Sequence, residues 1–206
     1  MSTLPLKIVG GTVALGSLGT GVYFGGKELL RAPTIKEKLS SENFKFIPSV
    51  ANSNSQWEAE FKSDEVAIKE KLGSNADATA LRQWCESKYG SPSTSVKDLE
   101  NVKKWCGIRD ISSQLVRKNR KLLIGQTGSD VDSKWTKTIE KRKTSNSVRS
   151  KLGLEGEWSA AKNDDKDNIK RWCSDKSKED FLVGEETYKL VEAWCTEQGA
   201  TIESIQ

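Results

Sequence analysis

Apolar residues recur at every third or fourth position over most of this chain, a spacing that places them on one face of an α-helix. One such segment carries Trp57 and Phe61, and Ser55 is placed to cap it. The same helix continues beyond Phe61, and Gly73 is placed to end it. Sustained alternation of apolar and polar residues, which a large sheet needs, is missing. The pattern therefore predicts a mostly α protein.

Two further helices are predicted over residues 77–88 and 96–106, and Gly90 and Pro92 lie in the break between them. Residues 44–47, with the sequence Phe-Lys-Phe-Ile, are the ambiguous stretch. So short an apolar run is compatible with one short strand or with a buried turn.

The segment that contains these helices recurs later in the chain, with its landmarks in the same order. Duplication followed by small insertions explains why the offset between matching residues only grows. We therefore divide the chain into a segment 1–31, unit 1 (residues 32–108) and unit 2 (residues 109–206). The matching landmarks are Ile35/Ile111, Leu39/Leu115 and Asn43/Asn119 at an offset of 76, Trp57/Trp135 at 78, Gly73/Gly153 at 80, Trp84/Trp172 at 88 and Trp105/Trp194 at 89.

All four cysteines belong to one recurring motif, an apolar residue followed three and four positions later by Trp and Cys. These three positions share one face of a helix, so each motif forms one inward patch. The four instances are Leu81-Trp84-Cys85, Val102-Trp105-Cys106, Ile169-Trp172-Cys173 and Val191-Trp194-Cys195.

Each unit thus has two motif helices, with its cysteines 21 or 22 residues apart. A helical hairpin of that length brings the two cysteines together. The duplication favours pairing inside each unit, which predicts the disulfides Cys85–Cys106 and Cys173–Cys195. Four reduced cysteines buried in the core are the alternative. A zinc site built from all four fits less well, because the close C-x2-C spacing of structural zinc sites is missing.

The N-terminal segment contains the longest uncharged run of the chain, 19 residues over 8–26. A helix of that length spans ~29 Å, close to the ~30 Å hydrocarbon core of a bilayer. We expect a single membrane-spanning helix there, with the lipid bilayer as its partner. Small residues follow one stripe of that helix, which favours a weak homodimer through the anchor. The stripe consists of Gly10, Ala14, Ser17, Gly21 and Gly25.

A cleaved signal peptide, a flexible Gly-rich tail and a buried helix of a soluble protein are the alternatives for this run. Two signals disagree about the orientation of this helix in the membrane. Basic residues after the run, Lys27 and Arg31 among them, place the body in the cytoplasm by the positive-inside rule. Disulfides favour the opposite side of the membrane.

Composition removes several classes of function. The 206 residues include no histidine, so the commonest general base and zinc ligand are absent. Charged residues make up 30% and hydrophobic residues 35% of the chain, which is polar for a single packed globule. We find no motif for a cofactor, a metal or a catalytic residue, and we expect the protein not to be an enzyme.

Charge is distributed unevenly along the second half of the chain. Residues 103–151 hold 14 basic and four acidic residues, whereas residues 152–206 hold seven and 13. The basic middle could attract lipid head groups or nucleic acid. We favour a solvated face between the units that docks on the acidic unit 2, because no nucleic-acid-binding motif accompanies it. The residues of the basic middle include Arg117, Lys118, Arg120, Lys121, Lys141, Arg142 and Lys143.

The chain resembles a family of uncharacterised, membrane-anchored paralogous proteins of haemotropic mycoplasmas. The matching features are the run KIVGGTVALGSLGTGVYFGG, the opening Thr34-Ile35-x-x-x-Leu39 and the four Trp-Cys motifs. The resemblance implies a membrane-anchored protein displayed outside the cell, without an assigned activity. It also implies a contribution to antigenic variety or to host interaction. The resemblance carries over no catalytic residue.

We therefore expect a single-pass membrane protein with two small helical units outside the cell and no enzymatic activity. The alternative is a cytoplasmic, membrane-tethered module whose basic middle binds lipid head groups or nucleic acid.

Overall fold

The computed structural model describes residues 31–144, 148–156 and 164–205. The predicted mostly α fold is confirmed over these ranges, which contain nine α-helices and no β-strand. In unit 1 the helices are α1 (Ile35–Ser41), α2 (Ser53–Ser63), α3 (Glu65–Leu72), α4 (Ala78–Tyr89) and α5 (Val96–Trp105). In unit 2 they are α6 (Ile111–Arg117), α7 (Val131–Thr144), α8 (Asp164–Lys176) and α9 (Glu186–Cys195). Short 3-10 helices lie at Ile47–Ser49, Arg149–Leu152 and Glu197–Thr201.

Matching polar side chains cap the first helix of each unit. In α1 the Thr34 hydroxyl accepts a hydrogen bond from the Glu37 backbone N–H (3.2 Å), and the Glu37 carboxylate accepts one from the Thr34 N–H (2.7 Å). In α6 the Asp110 carboxylate accepts from the Ser113 N–H at 2.6 Å. Each cap satisfies donors that the first turn leaves without an intrahelical partner.

The first helix of each unit, α1 or α6, is followed by a turn at a matching asparagine. Asn43 and Asn119 both adopt positive φ angles, 58° and 57°. Asparagine tolerates this left-handed conformation better than other non-glycine residues. The same local signal therefore ends the first helix of both units.

The helix predicted to run from Ser55 to Gly73 begins and continues differently in the structure. Helix α2 begins at Ser53 after Asn52, so Ser55 lies inside the helix and does not cap it. Asp64, with φ −142° and ψ 34°, then separates α2 from α3. Its carboxylate accepts a hydrogen bond from the Trp105 indole N–H at 2.7 Å, a tertiary contact that the local pattern does not contain.

Residues 44–47 form no strand. Phe46 makes one isolated antiparallel bridge with Gly107, and the chain then enters the 3-10 helix Ile47–Ser49. A single bridge cannot extend into a ladder once the backbone turns helical. Four such bridges tie the beginning of each unit to the ends of its motif helices: Thr34 with Pro92, Phe46 with Gly107, Asp110 with Asp180, and Leu122 with Thr196.

Two separate hydrophobic clusters form the interior, one in each unit. The first unites the aliphatic face of α1 with Trp57 of α2 and the motif residues of α4 and α5. The second unites the matching face of α6 with Trp135 of α7 and the motif residues of α8 and α9. The largest fully buried aliphatic side chains include Ile35, Leu39, Ile68, Leu81, Ile111, Leu115, Leu123 and Ile169.

The predicted membrane span, residues 8–26, lies outside the described residues together with its small-residue stripe. Among the helices of the described ranges, none combines the length and the apolar character needed to cross a bilayer.

Candidate functional site

The four cysteines form two disulfides, one within each unit. Cys85 is bonded to Cys106 with a Cα–Cα distance of 5.8 Å, and Cys173 to Cys195 with 5.6 Å. All four half-cystines are fully buried. The predicted pairing is confirmed, and each bond joins the two motif helices of its unit. The alternatives of four reduced cysteines and of a shared zinc site are therefore wrong.

The aliphatic members of the four motifs are all buried, whereas the tryptophans divide into two groups. Trp105 and Trp194, in the second motif of each unit, are 3% and 0% exposed. Trp84 and Trp172, in the first motifs, are half-buried. The rings of Trp84 and Trp105 pack edge to face, with 5.8 Å between their centroids. The second tryptophan thus fills the core. The fully buried aliphatic members are Leu81, Val102, Ile169 and Val191.

Asp64 anchors the buried Trp105 and lies beside two basic side chains. Burial raises the pKa of the Asp64 carboxyl, but hydrogen bonds from Lys104 and Trp105 and the nearby Arg117 outweigh that effect. The net result is a pKa below the usual value, so Asp64 stays ionised near neutral pH. A negative charge is thus held at the end of α2.

A buried carboxylate on α2 is the centre of the contact between the units. Glu60 is 4% exposed and accepts hydrogen bonds from Arg109 (2.7 Å) and Arg117 (2.8 Å), both at the beginning of unit 2. Because the two guanidinium groups compensate the carboxylate, a charge that would be costly to bury alone is stabilised.

Uncharged side chains complete the same face of α2. The Gln56 amide donates to the Phe181 carbonyl and accepts from the Val183 N–H, both at 3.1 Å. The Gln114 amide donates to the Ser63 hydroxyl at 3.2 Å. We call Gln56, Glu60, Ser63 and Asp64 the α2 docking face, because each of them contacts unit 2.

The basic middle is largely occupied by contacts within the chain. Arg117 pairs with Glu60 of unit 1, although the sequence predicts docking on unit 2. Arg120 pairs with Glu192 at 2.5 Å, and Lys141 with Glu203 at 2.8 Å, both in the acidic part of unit 2. Lys143 pairs with Glu140 on its own helix. Lys118 and Lys121 remain exposed.

Arg142 is the exception among these cations, because it is fully buried. Its guanidinium donates to the carbonyls of Gly199, at 3.2 Å, and Ile202. Burial lowers the pKa of this guanidinium, and the nearby Glu203 carboxylate opposes that effect. The sequence shows only a basic residue near others, and nothing in it indicates burial.

The sequence also did not identify Glu60 and Gln56 as residues of the contact between the units. Glu60 lies three residues after Trp57, on the helix face that the periodicity predicts to be buried. A charged residue at such a position is the available signal for a buried ion pair. Its partners lie 49 and 57 residues further along the chain, so local spacing does not identify them.

An open cleft of about 370 Å³ lies beside the C-terminal residues of unit 2. Its lining consists of Lys189, Glu192, Ile202, Ser204 and Ile205. Glu192 in this lining is already paired with Arg120. Within the described ranges, no group of three acidic or cysteine side chains is arranged to hold a metal ion.

Comparison of the chain with protein-family models, with curated proteins and with solved structures finds no match. The function is therefore inferred from the residues of the chain itself.

Replacing Cys85 by serine should lower the free energy of unfolding of unit 1 by about 2–5 kcal/mol, because the unfolded chain gains freedom that the bond removes. Urea unfolding followed by tryptophan fluorescence measures the loss, and the exposed Gln83→Ser on the same helix is the matched control. Non-reducing peptide mapping should still find Cys173 bonded to Cys195. A bond between Cys85 and Cys173 in the wild-type protein would contradict the pairing.

Replacing Glu60 by glutamine should destabilise the contact between the units by about 2–3 kcal/mol, because two arginines lose their ionised partner. Glu58→Gln, at an exposed position of the same helix, removes the same charge without a buried partner and is the control. Thermal unfolding of both variants is the measurement. Equal stability of the two would contradict the role assigned to Glu60.

Proposed function

We propose that the protein is a membrane-anchored, surface-displayed, non-enzymatic protein whose two helical units lie outside the cell. Residues 8–26 act as its single membrane span. The body contributes to antigenic variety or to interaction with a host, as the resemblance to the mycoplasma family implies. The observation that carries this proposal is the pair of buried disulfides.

The disulfides support an extracellular location for a chemical reason. Cytosolic glutathione and thioredoxin keep protein thiols reduced, whereas extracellular proteins keep stable disulfides. Each bond closes a loop of about 20 residues and stabilises its unit by roughly 3 kcal/mol in the chain-entropy model. Small units with limited cores gain most from such a cross-link.

The competing function, binding of lipid head groups or nucleic acid by the basic middle, has less support. A surface that attracts phosphates needs several cations free to approach them. Arg117, Arg120, Lys141 and Lys143 are instead paired with carboxylates, and Arg142 is buried.

Deleting residues 1–31 should move the protein from the membrane fraction to the soluble fraction, because the uncharged 19-residue run is removed. Cell fractionation with immunoblotting measures this. A variant with Ala14 and Gly21 both replaced by leucine keeps an apolar run and should stay in the membrane fraction. Identical fractionation of the truncated and full-length proteins would show that the run is not an anchor.

Protease treatment of intact cells should degrade the body of the protein while a cytoplasmic marker survives. In the same cells, an alkylating reagent added at lysis in denaturant should modify no cysteine before reduction and all four after reduction. The Cys85→Ser variant is the control, because its unpaired Cys106 should be alkylated without reduction. A protected body with four free thiols would place the protein in the cytoplasm and overturn the proposal.

A further inference from the structure

The duplication pairs each residue of the α2 docking face with a residue of α7. Trp57 and Trp135 are matching landmarks at an offset of 78, and both helices begin at matching positions, Ser53 and Val131. The residues that match Gln56, Glu60, Ser63 and Asp64 are therefore Lys134, Thr138, Lys141 and Arg142. We call these four the α7 face.

In unit 1 the α2 docking face contacts unit 2, through the beginning of that unit and through Phe181 and Val183. In unit 2 the matching face is covered by a segment of the same unit, residues 196–205, which we call the covering segment. Lys134 pairs with Glu197 at 2.9 Å, and Lys141 pairs with Glu203 at 2.8 Å. The buried Thr138 donates to the Thr196 carbonyl at 3.4 Å. Arg142 donates to two carbonyls of the same segment.

The covering segment therefore contacts the α7 face as unit 2 contacts the α2 docking face. All four residues of the α7 face contact it, just as all four residues of the α2 docking face contact unit 2. The contacts differ in chemistry. The α2 docking face is acidic and amide-bearing and receives arginines, whereas the α7 face is basic and receives carboxylates and carbonyls.

One residue of the α7 face, Arg142, lacks hydrogen-bond partners within the described ranges for part of its guanidinium group. Arg142 is fully buried, yet its Nε and Nη1 have no hydrogen-bond partner among the described residues. Buried donors of a charged group normally have partners, and a guanidinium is matched best by a carboxylate that binds two of its N–H groups. The hydrogen bonds from Arg142 to this segment go to backbone carbonyls, and the Glu203 carboxylate is bonded to Lys141.

We propose that the α7 face is a docking surface for an acidic peptide segment of a partner protein, and that residues 196–205 close it until such a peptide displaces them. The partner would carry two carboxylates spaced like Glu197 and Glu203, with a further carboxylate available to Arg142. This proposal does not depend on the side of the membrane on which the body lies.

A second copy of this chain does not fit the face as well. The edge of unit 1 that matches the docking residues Arg109, Gln114 and Arg117 carries Pro33, Lys38 and Ser41. None of these is acidic, and Lys38 would repel the lysines of the α7 face. The charge pattern thus selects an acidic peptide over head-to-tail association.

Glycine at position 199 provides a way to loosen the covering segment in the full-length chain. A Cβ atom there would lie 2.4 Å from the Ala193 carbonyl oxygen and 3.1 Å from Thr138 Cγ2. Gly199→Ala must therefore shift the segment away from α9 and the α7 face. Gly90→Ala is the matched control, because an added Cβ meets nothing within 4 Å there.

The probe is a fluorescent peptide with the sequence of residues 197–206, titrated with full-length protein in detergent micelles and followed by anisotropy. Gly199→Ala should bind it at least about tenfold more tightly than the wild type or Gly90→Ala, because the tethered segment no longer competes at its high effective concentration. A peptide with both glutamates replaced by lysine should bind at least about tenfold more weakly, because two ion pairs become repulsions.

Two further variants keep the test decisive. If Gly199→Ala loses its near-ultraviolet circular dichroism, the double variant Glu197→Gln/Glu203→Gln weakens the same segment without steric change and should also bind the probe more tightly. Adding Lys134→Glu and Lys141→Glu to either background should abolish binding, whereas the exposed Lys118→Glu should not. Unchanged binding by both loosened variants, or equal binding of the acidic and lysine peptides, would overturn the proposal.

Discussion

The cross-link between the two motif helices is the constraint on which each unit depends. A unit of under 100 residues buries one small cluster of aliphatic and aromatic side chains. The disulfide lies inside that cluster and joins α4 to α5, or α8 to α9, at the position where the second tryptophan fills the core. A small core alone does not offset the entropy that the chain loses on folding. The disulfide makes this loss smaller, because it restricts the unfolded chain.

The two units differ in the helix that follows the asparagine turn and precedes the motif helices, which is α2 in unit 1 and α7 in unit 2. In unit 1 this helix breaks at Asp64, whose carboxylate holds Trp105 and lies near Arg117. In unit 2 the matching residue is Arg142, inside the uninterrupted α7. A change of charge at one matching position thus accompanies a change of partner, from the following unit to the C-terminal segment.

This arrangement suits a protein displayed on a membrane. The covalent bonds make each unit resistant to local unfolding, and Glu60 with Arg109 and Arg117 joins the two units into one body. Variation of exposed residues on such a body need not disturb its interior. The covered α7 face is the part of the surface where the chain's own contacts can be exchanged for those of a partner.

The sequence by itself determined the helical class, the duplication and the disulfide pairing, because each of these follows from local spacing or from repetition along the chain. Periodicity at three and four residues identified the motif faces, and the matching separation of the cysteines in both units selected the pairs. The tertiary structure alone decided the break at Asp64, the buried carboxylate of Glu60 and the burial of Arg142. Their partners lie 41 to 60 residues away along the chain, so only the folded backbone brings the charges together.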